Sequence, residues 1–169
     1  MALLKKKYSI EHITQLSDKI TQRIEELSFF QQADTIALYY ALPDEVQTAA
    51  FIEKWYTQKQ ILLPVIQGEE LSLQVYEGKK MLKKGYLGIS EPNTHSENRY
   101  PDLIIAPGIA FDRQRNRLGR GKGYYDRLLS RTSIPCIGIC FQFQLFDRIP
   151  TDTHDRKMTH VLTEEEVIA

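Results

Sequence analysis

The sequence predicts an α/β fold with a layered sheet that is mainly parallel, contains an antiparallel hairpin and carries helices on both faces. First, short apolar runs alternate with segments of helical period along the 169 residues, which is typical of strands joined by crossover helices. Second, runs such as Leu103–Ala106 are continuously apolar, as strands buried on both faces are. Third, Leu71, Leu73 and Val75 alternate with polar residues directly after a turn, which indicates a hairpin strand with one wet face.

The order of the elements follows from period and from start and stop residues. Ser9 is a candidate N-cap of the first helix, and Asp44 is a candidate cap of the second. Pro64 lies in an apolar run and indicates an edge strand or an irregular ladder, because proline cannot donate to a ladder. Residues 93–100 are polar and predict an exposed loop. The predicted elements are a helix over 9–30, a strand over 35–42, a helix over 46–55, strands over 61–66, 71–75 and 103–106, a helix from 124 to about 132, a strand over 136–141, a bend or short helix over 141–146, and a strand over 158–163.

Length and composition predict one domain over residues 1–169. Lys+Arg and Asp+Glu both total 22, so the formal net charge is zero, which argues against general binding to polyanions such as nucleic acid. No apolar run approaches the ~20 residues of a membrane span, and there is no secretory signal. Cys136 and Cys140 would lie about 13 Å apart on one face of a strand, too far for a disulfide. Free thiols and a cytoplasmic location are therefore expected.

The segment 107–126 is the candidate functional loop. It joins a predicted strand to a predicted helix and is roughly a dozen residues longer than such a connection needs. Its second half, RLGRGKGYYD over 117–126, alternates glycines with cations. Backbone N–H groups, long cations and a helix start together form a cradle for phosphate oxygens. The spacing is neither that of a Walker A loop nor that of the dinucleotide fingerprint. Asp126 adds a carboxylate suited to phosphate-bound Mg²⁺.

Two other interpretations of this loop remain open from the residues alone. Stretches rich in glycine and arginine also bind nucleic acid through phosphate contacts and stacking. A basic loop can also be no more than a solvated surface.

The same loop closely resembles the signature of the 5-formyltetrahydrofolate cyclo-ligase family. The likeness covers P-G-x-A-F-D over 107–112 and, with every spacing kept, the whole of 117–126. Shorter likenesses are D-E-V-x-T over 44–48, the G-I-x-E-P segment over 88–92 and an H-D pair at 154–155. The resemblance extends over about 35–165 and implies the same layered fold.

The resemblance implies an ATP- and Mg²⁺-dependent enzyme that cyclises 5-formyltetrahydrofolate to 5,10-methenyltetrahydrofolate through a phosphorylated formyl oxygen. The implied partners are small molecules, ATP and 5-formyltetrahydrofolate or its polyglutamates, with no nucleic acid and no membrane, and a monomer is expected. His154 is not expected to bind the metal, since imidazole suits softer ions than Mg²⁺. The roles carry over as follows: ATP binding to Arg117, Leu118, Gly119, Arg120, Gly121, Lys122, Gly123, Tyr124 and Tyr125; folate binding to Tyr40, Glu45, Arg120, Gly121, Lys122, Gly123 and Tyr124; metal binding to Asp126 and Asp155; catalysis to Arg120, Lys122 and Tyr124.

The alternative is a non-catalytic relative that binds folate or a nucleotide, followed by a nucleic-acid-binding module. Members of the family usually open with a basic helix that reaches the ATP phosphates, about ten residues ahead of the segment matching residues 5–10. We expect this chain to lack that helix. Either the chain begins downstream of the usual start, or Lys5, Lys6 and Lys7 replace the helix imperfectly. Weaker ATP binding is therefore expected.

Overall fold

The first helix begins where the side chain of Ser9 caps it. In the computed structural model, which describes residues 8–85, 88–93, 99–152 and 155–169, Ser9 Oγ accepts a hydrogen bond from the His12 N–H at 3.2 Å. The helix ends at Leu27, whose backbone is extended, and a second helix starts at the next residue. The single helix predicted over 9–30 is therefore wrong at Leu27, because the apolar period continues across the break. The helices are α1 (Ile10–Glu26), α2 (Ser28–Gln32), α3 (Ala49–Trp55) and α4 (Tyr124–Ser130), with 3-10 turns at Lys79–Met81 and Gln142–Gln144.

Most of the strands belong to one large sheet. The strands are β1 (Thr35–Ala37), β2 (Gln60–Gln67), β3 (Glu70–Val75), β4 (Leu82–Lys84), β5 (Ser90–Pro92), β6 (Leu103–Ala106), β7 (Ala110–Asp112), β8 (Arg117–Leu118), β9 (Cys136–Ile139), β10 (Leu145–Phe146), β11 (His160–Leu162) and β12 (Val167–Ile168). The large sheet has the order β12-β11-β9-β6-β1-β2-β3. Neighbours from β11 to β2 pair in parallel. The predicted hairpin is confirmed as β2 and β3, whereas the antiparallel strand β12 on the other edge was not predicted.

Helices cover both faces of this sheet, as the sequence predicts. Successive residues of a strand point to opposite faces. Ile36 and Ile105 lie in the cluster that α1, α2 and α3 complete. Ala37 and Ile104 lie in the other cluster, with Leu129 of α4. Each fully buried isoleucine or leucine contributes about 1.5–3 kcal/mol to the free energy of folding, so both layers hold the sheet in place.

The segment after β1 differs from its prediction. The strand predicted over 35–42 ends at Ala37, although Leu38 and Tyr39 remain buried. Their apolar character therefore reflects packing in the core. The proposal that Asp44 caps a helix is also wrong, because α3 begins only at Ala49, after Thr48.

Thr48 ties this segment together instead. Its hydroxyl donates to the Tyr39 carbonyl at 2.7 Å and accepts from the Ala41 N–H at 3.2 Å. The loop that carries Glu45 is thereby fixed against the end of β1.

β2 is an interior strand, so the edge position suggested by Pro64 is wrong and the irregular ladder is confirmed. The pairing of β2 with β1 ends at Leu62, whereas its pairing with β3 continues to Gln67. The Leu62 carbonyl accepts from the Leu38 N–H at 3.0 Å, so Pro64, two residues on, faces the same side. The backbone nitrogen of Pro64, which carries no hydrogen, thus faces the space beyond the end of β1.

The long loop between β6 and α4 folds into a second, smaller sheet. β7 pairs in parallel with β10 and antiparallel with β8. The buried carboxylate of Asp112 organises the turn between β7 and β8, because it accepts hydrogen bonds from Gln114, Asn116 and Ile149. Phe111 beside it is fully buried and packs so closely on Gly138 of β9 that a Cβ there would lie 2.2 Å from the ring. The base of the loop is therefore anchored to the large sheet.

Several predicted features fall outside the described residues. These are Lys5–Lys7, residues 94–98 of the predicted polar loop, and His154. Of the helices that are described, none has the length and apolar character needed to cross a bilayer.

Candidate active site

A cleft opens beyond the carboxyl ends of β1 and β6. Its cavity volume is about 180 Å³. Its walls come from the segment after β1, from β2 and β5, and from the loop between β6 and α4, at the sheet edge where open α/β sheets bind ligands. The predicted site residues that line it are Tyr40, Glu45, Arg117, Gly119, Arg120, Lys122, Gly123, Tyr124, Tyr125 and Asp126, whereas Leu118, Gly121 and Asp155 do not.

Arg117 is the buried cation of the cleft, with a side chain only 4% exposed. Its guanidinium donates to the Asp126 carboxylate and to the Pro107 carbonyl at 3.4 Å, and it lies over the Tyr125 ring at 5.4 Å from the centroid. Its Nε has no hydrogen-bond partner in the described part of the chain. Because a buried charge must be paired and hydrogen-bonded to be tolerated, Asp126 is structurally required here. The remaining donor capacity suits an anionic ligand.

Arg120 crosses the cleft to the acidic segment after β1. Its guanidinium donates to both carboxylate oxygens of Asp44, at 2.8 and 3.0 Å, and approaches Glu45 Oε1 at 3.4 Å. The second oxygen of Glu45 accepts from the Leu42 N–H at 3.0 Å. The structure thus joins the predicted phosphate cradle to the predicted folate-binding carboxylate through one side chain.

Glycine is favoured at the three glycine positions of the cradle for different structural reasons. Gly121 (φ 79°) and Gly123 (φ 67°) occupy the left-handed region, which favours glycine over residues with a Cβ. Gly123 immediately precedes α4. At Gly119 a Cβ would lie 2.9 Å from Arg117 Nη1, so the guanidinium would have to shift to admit one.

The other predicted residues present mixed polar and aromatic surfaces. Lys122 is exposed and lines the cleft, and its side chain makes no ion pair among the residues that are described. Tyr124 Oη donates to the Gly68 carbonyl at 3.4 Å, which links the cradle to the turn of the β2–β3 hairpin. Burial, and then the negative charge of Glu45, raise the pKa of Tyr125, so this phenol stays protonated.

Of the two carboxylates predicted to bind Mg²⁺, those of Asp126 and Asp155, only Asp126 lies at the cleft. Asp126 lines the cleft and its side chain is 35% exposed, with one oxygen on Arg117. Asp155 accepts from the Asp152 N–H at 2.7 Å and is not brought to the cleft wall. Among the described residues no group of three or more His, Cys, Asp or Glu side chains is arranged for a metal. Mg²⁺ commonly takes only one or two carboxylates together with phosphate oxygens, so Asp126 suits an ion held mainly by a triphosphate.

Sequence reasoning missed two acidic residues of the site. Asp44 was considered only as a helix cap, yet it holds Arg120. Glu91 lies in the G-I-x-E-P segment, to which sequence reasoning assigned no role, yet it lines the cleft and is only 5% exposed. The available signal was an acidic residue directly before a proline, in a segment that resembles the family.

Known proteins resemble this chain over almost its whole length. The model of the 5-formyltetrahydrofolate cyclo-ligase family matches residues 1–164. A Schizosaccharomyces pombe protein named probable 5-formyltetrahydrofolate cyclo-ligase is 33% identical, with 90% of this chain and 85% of that protein covered. The 5-formyltetrahydrofolate cyclo-ligase of Haemophilus influenzae is 32% identical, with coverage of 88% and 85%. The NMR structure of Aquifex aeolicus 5,10-methenyltetrahydrofolate synthetase superposes with a TM-score of 0.85 at 34% identity, over 98% of this chain and 90% of that one.

Proposed function

Because the chain belongs to the 5-formyltetrahydrofolate cyclo-ligase family, we propose that it converts 5-formyltetrahydrofolate and ATP into 5,10-methenyltetrahydrofolate, ADP and phosphate, with Mg²⁺. The observation that carries the proposal is the contact of Arg120 with Asp44 and Glu45. It brings the cationic loop and the acidic segment after β1, implied to bind ATP and folate respectively, to the two sides of one cleft. Transfer of the γ-phosphoryl group to the formyl oxygen requires the two substrates to meet in this way.

The chemistry explains why ATP is needed. A formyl group on N-5 is an amide whose oxygen cannot leave as oxide. Attack of the formyl oxygen on the γ-phosphorus forms a C–O–P linkage and releases ADP. Attack of N-10 on the same carbon then closes the ring, the C–O bond breaks, phosphate leaves and N-10 loses its proton.

The residues of the cleft suit these steps without a covalent enzyme intermediate. Arg117, Arg120 and Lys122 offset the negative charge of the triphosphate and of the transferring phosphoryl group. Asp126 would hold Mg²⁺, which when bound neutralises phosphate charge. Glu45 and Tyr40 contact the folate. The apolar wall of β2 keeps water from the phosphoryl group.

Neither cysteine is expected to take part. Burial raises the pKa of Cys136 to about 12 and that of Cys140 further still, so both thiols stay protonated at neutral pH. Free buried thiols support the proposal of a cytoplasmic enzyme. We propose in addition that residues 1–169 form one domain and act as a monomer.

The direct test is to mix the protein with ATP, Mg²⁺ and 5-formyltetrahydrofolate and to record the near-ultraviolet absorbance of methenyltetrahydrofolate. We expect absorbance to rise only when all three are present. Binding of both substrates without any absorbance change would instead identify a non-catalytic relative.

A further inference from the structure

Three carboxylates line the cleft, and two of them are already engaged. Asp126 is paired with Arg117, and Glu45 accepts from the Leu42 N–H and faces Arg120. The third is Glu91 of β5. Within the part of the chain that the structure describes, its side chain has no hydrogen-bond or ionic partner, although only 5% of the residue is exposed. Because Glu91 lines the cleft, a ligand bound there can donate hydrogen bonds to its carboxylate.

The backbone around Glu91 is shaped to hold this carboxylate. A Cβ built on Gly85 would lie 2.0 Å from the carboxylate carbon of Glu91, so the acid occupies space that only a glycine leaves free. Gly85 lies directly after β4, which pairs with β5 in a hairpin. The hairpin thus holds Glu91 beside Ile89, at the part of the cleft that Pro64 and Ile66 of β2 also line.

The Glu91 carboxylate is negatively charged and only accepts hydrogen bonds, which determines the part of a ligand that it can bind. It repels the triphosphate and the glutamate tail of a folate, since both are anionic. Adenine offers its amino group beside ring-nitrogen lone pairs, which would face the second carboxylate oxygen. The pterin ring of tetrahydrofolate offers two adjacent donors, the N-3 hydrogen and the 2-amino group, whose spacing matches the two oxygens of one carboxylate.

We propose that Glu91 determines specificity for the pterin ring by accepting hydrogen bonds from N-3 and the 2-amino group through its two carboxylate oxygens. This inference rests on the proposed function, because it takes 5-formyltetrahydrofolate as the ligand. The cationic loop and Arg120 then remain at the other wall for the phosphates. Glu91 orients the ring and takes no part in bond making.

The first experiment compares Glu91→Gln with the parent protein by calorimetric titration. A glutamine directs an N–H₂ group at one of the two ring donors, so the Kd for 5-formyltetrahydrofolate should rise roughly ten- to a hundred-fold while the Kd for Mg-ATP stays unchanged. Glu77→Gln is the matched control, because Glu77 is exposed and does not line the cleft. An unchanged folate Kd for Glu91→Gln, or an equal loss of ATP binding, would overturn the inference.

The second experiment leaves Glu91 intact. Gly85→Ala should displace the flexible carboxylate and reproduce the loss of folate affinity. On the parent protein, the folate analogue with a methyl group in place of the 2-amino group should bind roughly ten-fold or more weakly, and Glu91→Gln should weaken it little further. If the parent binds and converts 5-formyltetrahydrofolate but binds the analogue equally well, the inference fails and the proposed function stands. If the parent does not bind 5-formyltetrahydrofolate, both fail.

Discussion

The two arginines of the cleft differ in how firmly their carboxylate partners hold them. Arg120 is 48% exposed and Asp44 45% exposed, and exposed ion pairs are worth about 0–1 kcal/mol. Arg117 is 4% exposed, and removing one partner of a buried pair costs about 3–5 kcal/mol. A phosphate group can therefore take Arg120 from Asp44 at little cost, whereas Arg117 must keep Asp126 or gain an equivalent anion.

We predict that Arg120→Ala weakens ATP binding roughly ten- to a hundred-fold, since one charge-assisted phosphate contact worth about 1.5–3 kcal/mol is lost. The Kd would be measured by calorimetric titration with Mg-ATP. Arg131→Ala is the matched control, because Arg131 forms an exposed pair with Glu70 outside the cleft. Equal ATP affinity in the parent and the Arg120 variant would exclude Arg120 from the cradle.

Asp126→Asn should have two separable effects. The Mg²⁺ concentration for half-maximal turnover should rise, because a metal-binding carboxylate is lost. Stability without metal should fall by about 1–3 kcal/mol, because buried Arg117 then faces a neutral partner. Turnover at graded Mg²⁺ and urea unfolding without metal would measure these effects.

The exposed Asp147 supplies the control substitution, Asp147→Asn. A loss of stability with an unchanged Mg²⁺ dependence would restrict Asp126 to its structural role beside Arg117.

At the scale of elements, the turn between β7 and β8 depends on one carboxylate. Burial alone would raise the pKa of Asp112, but hydrogen bonds from Asn116, Ile149 and Gln114 outweigh it and lower the pKa below the ordinary value of 3.8. A lowered pKa means that the carboxylate stabilises the fold at pH values above 3.8. This contribution is lost as the pH falls through the lowered value.

Asp112→Asn should therefore cost about 3 kcal/mol at pH 7, since an amide accepts on one oxygen only and sets its N–H₂ against donors. The variant should also lose less stability than the parent between pH 4 and pH 2. Urea unfolding across this range would measure both effects. Asp18→Asn, on the exposed side of α1, is the control. Parallel pH curves for the parent and the Asp112 variant would contradict the assignment.

The elements that sequence predicted well are those whose local signals agree with their tertiary surroundings. β6 has its predicted bounds because four consecutive apolar residues sit between two strands. β7 and β8 were not predicted, because strands of two or three residues form only through pairing. β8 pairs with β7, and β7 pairs with β10, which is distant in sequence. Leu27 was not predicted to end a helix, since an apolar period carries no information about a local break in φ and ψ.

The sequence predicted most of the residues that form the site, but not which of them contact one another. Tyr40, Glu45 and most of the cationic loop meet in one cleft, because the ends of neighbouring parallel strands share an edge of the sheet. The pairing of Arg117 with Asp126 was not predicted, since both residues were assigned to ligands and no local pattern reports a contact across the start of a helix. Asp155 was placed beside Asp126 by resemblance alone.

At the scale of the whole molecule, the smaller sheet packs against the large sheet through the Phe111 ring of β7, which lies on Gly138 of β9. Gly138→Ala would place a methyl group 2.2 Å from the buried Phe111 ring, which cannot move without disturbing both sheets. We predict a loss of about 1–3 kcal/mol in the free energy of unfolding, measured by urea denaturation.

Gly85→Ala is the matched comparison. The three atoms nearest to its added Cβ all belong to the Glu91 carboxylate, the end of a side chain that can turn away, so the substitution should cost distinctly less stability. If the two alanine variants are equally stable, the contact between Phe111 and Gly138 does not hold the sheets together.

The unequal lengths of β1 and β2 have a consequence for what can enter the cleft. Beyond Leu62, none of the described strands pairs with β2 on its β1 side, and an unpaired backbone edge is a template on which a foreign strand can add. Pro64 stands in this stretch with no N–H to offer, so a peptide laid along it would find its ladder interrupted. The stretch of β2 beyond Leu62 therefore resists the addition of a foreign strand. It remains accessible to compact ligands, which bind through side chains and loops.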